Sequence, residues 1–449
     1  MKRHATHTLR EWYKKRDRRP LIIRGARQVG KSTLVRLFCK DESLELIECN
    51  LERCKLKSIH QENWQLSELL DEIKTLTQKR IHENSILFLD EIQEDPKLIA
   101  CLRYFYEEMP SLAVVAAGSL LDLTLKNSEV TFPVGRVEFL HLGPMSFSEF
   151  LIASDHELLA QKILSFDLAK LSPSTHSECL ELFKKYTYIG GMPKVVANFV
   201  QTNSLLEVRE IQEEIIQTYE ADFPKYKKSV NADCLKKIFK SASFHLSEKV
   251  IYQKIDRESP SKEIRKVLEL LIDARVLLPC YHCDASDIPL ISTIDETICK
   301  LFFLDVGLVN AIHQVDYSFF EREFWTRLTT GGVLAEQFVA QHLSFIRGPK
   351  APPALHYWLR DKVTQKGEID FLIQKAGQIY ALEVKSGSSN RSKSLFYFAK
   401  EKGWERVIKL TTNPYSKPIR IQQSTISSVL CAHLPLYAIE ALSTAWGKK

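Results

Sequence analysis

Two glycines five residues apart, followed at once by a lysine and a hydroxyl, make an anion cradle the first chemistry this sequence suggests. Gly25-Ala26-Arg27-Gln28-Val29-Gly30-Lys31-Ser32, with Thr33 next, fits G-x-x-x-x-G-K-[ST] without a mismatch. The glycines let the backbone turn tightly, so that successive N–H groups converge on phosphate oxygens. Lys31 adds a point charge toward the β- and γ-phosphates, and Ser32 offers a hydroxyl to Mg²⁺. A helix starting at Lys31 aims the positive end of its dipole at the same anion. Residues 25–33 are therefore the candidate ATP-binding loop.

The other half of such a site is an acid at the end of a buried strand. Ser85-Ile86-Leu87-Phe88-Leu89-Asp90-Glu91 supplies it, with four apolar residues ahead of two carboxylates. Asp90 is the candidate to hold Mg²⁺ through water, and Glu91 to orient or deprotonate the attacking water. Ser119, just past the apolar stretch AVVAAG, stands where a polar group senses the γ-phosphate. Arg136 is a candidate arginine finger. Arg103 fits that role equally from sequence, and an ordinary surface cation accounts for either.

A second constellation lies in the tail. Residues 367–385 read as a hairpin turning at Lys375-Ala376-Gly377-Gln378. Pairing Ile369, Phe371 and Ile373 with Val384, Leu382 and Tyr380 gives one face made wholly of apolar residues, which selects the register. The opposite face then sets Glu368 against Lys385 and Asp370 against Glu383. Facing carboxylates repel, and a divalent cation removes the conflict. Lys385 can then position the water that attacks a phosphodiester. This D…ExK pattern resembles the PD-(D/E)xK nucleases, a resemblance under which Glu336 would be the helical acid. A plain Glu368–Lys385 ion pair on a solvated rim explains the same residues without a metal.

Positioning the first site calls for alternating strands and helices. Strands are expected at 20–25, 44–50, 86–90 and 112–117, and helices at 31–38, 64–82 and 96–109, which is the pattern of a parallel sheet covered on both faces. Residues 145–220 read as mainly helical, broken by SPSTHS and by Gly190-Gly191-Met192-Pro193. From 230 to 310 come three short helices and extended apolar pieces. Lys262, Arg265 and Lys266 share a helix in the recognition position of a helix-turn-helix fold, diluted by Glu258, Glu263 and Glu269. Cys280-Tyr281-His282-Cys283 lacks the second ligand pair that a structural zinc site wants.

Several segments together look like the prokaryotic AAA-type ATPases that carry a C-terminal domain of unknown function. They are RPLIIRGARQVGKSTL, LFLDEIQ, AAGSLLDL, VGRVEFLHLGPMSFSEF and YIGGMPKVV, extended later by LFFLDVGLVNAI and the EVK-bearing tail. The resemblance implies an α/β chain in four parts: a P-loop NTPase core (1–145), a helical lid (146–228), a winged helix (229–315) and a restriction-endonuclease-like domain (316–449). It also implies ATP and Mg²⁺ as cofactors.

Composition sets the outer limits. The chain has 449 residues, 45% hydrophobic and 26% charged, which excludes disorder and a disulfide-stapled mini-protein. The apolar stretches are too short to cross a membrane, no secretory signal is evident, and ten cysteines without framework spacing suit a reducing cytoplasm. The net charge of +6 is uneven: residues 1–40 carry thirteen Lys/Arg against Glu11 and Asp17. Such a patch suits nucleic acid, or a solvated face behind a phosphate site. DNA and a protein partner both stay open as targets, as does a homo-oligomer.

Overall fold

The computed structural model describes residues 1–127, 131–226, 230–362, 365–385, 393–424 and 427–444. They divide into two compact units. The first is Met1–Pro144 together with the short pieces Asp273–Val276 and Gly348–Pro352; the second is the remainder. Among the described residues, no helix is long and apolar enough to cross a membrane.

In the first unit helix α1 (Ala5–Tyr13) precedes β1 (Leu21–Arg24), α2 (Lys31–Asp41) and β2 (Glu45–Asn50). α3 (Leu66–Thr77), β3 (Ser85–Asp90), α4 (Pro96–Glu108), β4 (Ala113–Gly118), α5 (Leu121–Asn127) and β5 (Glu138–His141) follow. The strands form one parallel sheet in the order β2-β3-β4-β1-β5. All six residues of β3 and all six of β4 are buried, because helices cover both faces of a parallel sheet. Burial of Ile86, Leu87, Phe88 and Leu89 contributes roughly 1.5–3 kcal/mol each, enough to hold the strand centrally.

α3 is shorter than the expected 64–82. A capping box of Gln65 and Glu68 starts it, and Gln78, with φ of 55°, ends it in a left-handed turn. The two later pieces are tied into this unit. The Pro349 carbonyl accepts the His141 N–H at 2.6 Å, Asp273 accepts from Lys126 at 2.7 Å, and Lys350 pairs with Glu11 at 3.0 Å.

The second unit opens with helices α6 (Phe147–Ala153), α7 (Glu157–Leu164), α8 (Pro173–Ile189), α9 (Pro193–Thr202) and α10 (Leu205–Asp222). Then come α11 (Ala232–Ser243), α12 (Tyr252–Ile255), α13 (Ser261–Asp273) and the antiparallel pair β6 (Leu277–Cys283) and β7 (Ile294–Phe303). α14 (Val306–Ile312), α15 (Tyr317–Gly331) and α16 (Val333–Leu343) lead to β8 (Leu355–Lys362) and β9 (Gln365–Ile369). These strands form a sheet ordered β7-β6-β8-β9. It runs without interruption past the division expected at residue 315, because β6 pairs in parallel with β8.

The tail adds β10 (Phe371–Lys375), β11 (Gln378–Val384), α17 (Lys393–Lys402), β12 (Arg406–Thr411), β13 (Ser416–Ser424) and β14 (Ser427–Pro435). Their sheet order is β10-β11-β12-β14-β13.

Two sequence motifs meet inside this unit. α8 ends at Gly190, whose φ is 79° and where a Cβ would lie 2.1 Å from Asp305 Oδ1. The Gly191 N–H donates to Asp305 Oδ2 at 2.6 Å, and the Leu308 N–H to Oδ1 at 3.1 Å. Gln341 donates to the same carboxylate at 3.3 Å. Asp305 is fully buried, and that burial pushes its carboxyl up to about 6 despite the bonds. The glycines of YIGGMP are thus a close-fitting seat for the aspartate of LFFLDVGL.

Candidate nucleotide site and the carboxylate cluster

The site in the first unit is built from strand ends. Arg24 of β1 pairs with Gly118 of β4, and Ala117 of β4 with Asp90 of β3. Since the strands are parallel, Gly25, Ser119 and Glu91 leave the sheet at one edge, on three adjacent strands about 5 Å apart. This is the carboxyl edge, where ligands of open α/β sheets bind. Ser32 Oγ donates to Asp90 Oδ2 at 2.9 Å. Asn50, level with Asp90 on β2, reaches the same oxygen at 3.5 Å. The hydroxyl and carboxylate form the hard-oxygen pair that suits Mg²⁺. Asp90 is buried, and that burial raises its carboxyl above the usual range.

The loop follows the expected chemistry, with one correction. Gly30 turns left-handed, at φ of 91°, as the residue before α2. Gly25 serves close approach rather than a tight turn: a Cβ there would lie 2.3 Å from the Leu142 carbonyl oxygen. Gln28 also has positive φ, at 62°. The first intrahelical bond of α2 runs from Leu34 N–H to Gly30 O, so the N–H groups of Lys31, Ser32 and Thr33 precede the ladder. Arg3 braces the loop by donating to the Val29 carbonyl at 3.0 Å and the Gly143 carbonyl at 2.8 Å.

Lys31 is 6% exposed and donates to the carbonyls of Gly25 (3.0 Å) and Ala26 (2.9 Å). Burial pulls its ammonium down to about 8, more than the nearby Glu91 and Asp90 charges hold it up. Arg27 pairs with Glu52 at 3.3 Å.

Glu91 sits in a left-handed conformation, φ 54°, a strained backbone of the kind found at functional sites. Gln93 fixes it, donating to Glu91 Oε2 at 2.7 Å. Sequence reasoning passed over both Gln93 and Asn50; their signal is a polar residue at each strand exit. Ser119 is buried, and its Oγ has no hydrogen-bond partner among the described residues, as is true of Gln93 Oε1. Arg136 is exposed and ion-paired with Glu107 at 2.8 Å, while Arg103 bonds the Tyr104 hydroxyl at 3.0 Å.

The basic N-terminus is largely used within the unit. Arg10 pairs with Glu42 at 2.6 Å and Lys15 with Glu138 at 2.5 Å. Arg18 donates to the carbonyls of Tyr13 and Ser111, both at 2.7 Å, and lies over the Tyr13 ring.

The second cluster departs from its expectation in one instructive way. The hairpin register is as the apolar pattern requires, with Phe371 opposite Leu382 and Ile373 opposite Tyr380. Asp370 Oδ2 accepts the Val384 N–H at 2.7 Å, and Lys385 pairs with Glu383 at 2.8 Å. Glu368, however, does not face Lys385. The chain leaves the hairpin at Asp370, and β9 pairs with β8 instead, Leu359 opposite Glu368.

The partner of Glu368 is Lys300 of β7, which sequence reasoning missed. Lys300 also lies 3.8 Å from Glu336 and over the Tyr357 ring, 5.0 Å from its centroid. Burial raises the carboxyls of both Glu336 and Asp370, helped at Glu336 by the charge of Asp370 and at Asp370 by that of Glu383. Among the described residues, no three His, Cys, Asp or Glu side chains come together as a metal site. Cys283 bonds the Leu290 carbonyl and the Thr293 hydroxyl, and Cys280 is fully buried. His342 is also buried, accepting the Phe147 N–H at 2.9 Å and lying 3.7 Å from Glu440.

Residues 17–151 match the family described as AAA domain. Residues 180–318 and 331–431 match two families described as domains of unknown function, DUF8612 and DUF4143. No curated protein matches the chain. Among solved structures, the RuvB Holliday junction branch migration motor of Thermotoga maritima is 12% identical over 58% of this chain and 81% of that chain, with a TM-score of 0.28. The ORC2 protein of Aeropyrum pernix, in ADPNP–ADP complexes, is 14% identical over 70% of this chain and 93% of that one, with a TM-score of 0.30. Overlaps this low do not define a shared fold. The AAA domain covers the loop, Asp90, Glu91, Ser119 and Arg136.

Proposed function

We propose that the first unit binds ATP with Mg²⁺ and hydrolyses it. The observation that carries this reading is the 2.9 Å bond between Ser32 and Asp90, which joins the loop to the acid strand at the place a metal–phosphate ligand needs both. The amides of residues 25–33 would cradle the phosphates, with Lys31 turning from its own loop's carbonyls onto the β- and γ-oxygens. Mg²⁺, when bound, neutralises charge on those oxygens, and Ser32 and Asp90 are the residues to hold it. Glu91 takes up or orients the proton of the attacking water, Gln93 keeps it aimed, and Ser119 meets the γ-phosphate. Arg136, released from Glu107, is the arginine to be donated to a neighbouring copy of the chain, with Arg103 the alternative.

In this reading hydrolysis drives a change in the C-terminal half, which contacts nucleic acid and cuts it at Asp370, Glu383 and Lys385. The juxtaposition of Asp370 with the Val384 backbone and of Lys385 with Glu383 supports that site. The competing reading is a switch that binds a protein partner, with the tail as scaffold. It is favoured by the spent charges on the helical elements: Lys237 pairs with Asp256 and Glu258, and Arg265 with Glu269.

An ATPase assay with and without DNA, on wild type and Lys31→Ala, tests the proposal. Turnover that disappears in the variant supports the ATPase, and stimulation by DNA selects the nucleic-acid reading. Equal turnover in both proteins refutes the assignment of the loop.

A further inference from the structure

Lys300 sits in the apolar strand end Cys299-Lys300-Leu301-Phe302-Phe303 and is 2% exposed. A buried ammonium at such a place is costly unless it is paired. It is: Glu368 meets it directly and Glu336 lies 3.8 Å away, while Tyr357 presents its ring face. Burial tends to strip its proton, but the charges of Glu336, Glu368 and Asp370 outweigh that and hold it protonated.

Among the described residues the wider cluster brings the carboxyl groups of Glu336, Glu368, Asp370 and Glu383 together with the ammonium groups of Lys300 and Lys385, and Lys409 of β12 stands level with Glu383. Two polar atoms of the cluster also lack hydrogen-bond partners among the described residues, Glu383 Oε2 and the Tyr357 hydroxyl, while Glu336 Oε2 has only Lys300 at ion-pair distance. Tyr357 is fully buried, and the Glu383 side chain is 6% exposed. Oriented polar atoms left without partners in an otherwise paired interior point to a ligand.

We propose that Lys300 is a positioning residue of this cluster: its ammonium stands as a built-in cation for Glu336 and Glu368, leaving Asp370 and Glu383 to take a single divalent ion. The proposal rests on the phosphodiester-cutting reading of the tail and specifies its metal content. A tethered ammonium is always present and cannot be exchanged, so the half of the cluster it fills is closed to a second metal. That accounts for the failure of three carboxylates to converge among the described residues, since Lys300 lies between Glu336 and Glu368.

The test is the Mn²⁺ stoichiometry of nucleotide-free, full-length protein, read from the electron paramagnetic resonance of free and bound ion. An Asp90→Asn background silences the nucleotide loop. About one ion per chain is expected for this protein and for Lys300→Arg, about two for Lys300→Met, and none for Asp370→Asn. Lys300→Gln is the second neutral variant if the methionine protein fails to fold, as judged by circular dichroism. Two ions with Lys300 intact, or one in a folded neutral variant, overturn the role of Lys300 and leave the cutting site standing. No ion with Lys300 and Asp370 intact overturns both.

Discussion

Lys31 and Lys300 are both buried, 6% and 2% exposed, yet their surroundings are opposite. Lys31 donates to two neutral carbonyls of its own loop, and burial pulls its ammonium down to about 8. Lys300 is met by carboxylates that hold its proton firmly. The first is a cation still without a counter-charge, which a triphosphate would supply in the proposed function. The second already has its anions, and in the proposed arrangement the rest of its cluster takes a further cation. A buried lysine thus reports the sign of the missing ligand through what already surrounds it.

The contrast can be broken most sharply at Lys31. Lys31→Ala removes the waiting charge and should lower ATP turnover by ~10²-fold or more, measured as phosphate release. Unchanged turnover would place Lys31 with the structural lysines. Glu91→Gln should lose turnover on a similar scale, on the order of 10²-fold, while equilibrium binding of ATP is kept; loss of binding instead would make Glu91 part of the cradle.

The pH dependence sharpens the same point. ATP meets the ammonium form of Lys31, and in free protein that form declines above about 8. Affinity should therefore fall toward tenfold per pH unit above that value, followed by calorimetry from pH 7 to 9.5. A flat profile would mean that Lys31 keeps its proton without help from the phosphates.

Outside both sites, Asp305→Ala strands the buried N–H groups of Gly191 and Leu308. It should cost roughly 2–5 kcal/mol in urea unfolding, with a drop below 1 kcal/mol showing that water replaces the carboxylate. The smallest effect is expected at Arg136. Its exposed pair with Glu107 contributes about 0–1 kcal/mol, so Arg136→Ala should leave the melting temperature nearly unchanged. Turnover that falls in this variant, and rises with protein concentration only in wild type, supports donation between copies; equal concentration dependence opposes it.

What could be read from sequence was local. The candidate phosphate loop is eight consecutive residues that fit one motif, and the strand bearing Asp90 announces itself by its apolar run. The tail register was legible for a similar reason: a turn centred between Ala376 and Gly377 sets Phe371 opposite Leu382 and Ile373 opposite Tyr380. Lys300 was not legible, because its partners Glu336 and Glu368 lie far along the chain and no spacing links them. A trace existed nonetheless in a lone charge inside the apolar strand end after Cys299, which must find a buried anion. Glu368 was misplaced because hairpin logic cannot show where a strand abandons its partner for another. The internal partners of the basic N-terminus were hidden for the same reason, since its anions and carbonyls, Glu42, Glu138 and Val29 among them, come from distant parts of the chain.

The two late pieces of the first unit bear on how the molecule is made. His141 donates its N–H to the Pro349 carbonyl and meets the Arg275 guanidinium with its ring, and Lys126 donates to the Asp273 carboxylate. A ribosome that has released the first 144 residues has delivered every strand of that sheet but not these ties. The nucleotide-binding half therefore stays unfinished until Pro352 emerges, well after the helices of the other half have begun to form. A gene trimmed at the inviting stop after Pro144 would yield a protein missing its own fastenings, and a protease nick near either insertion would loosen a region distant in sequence.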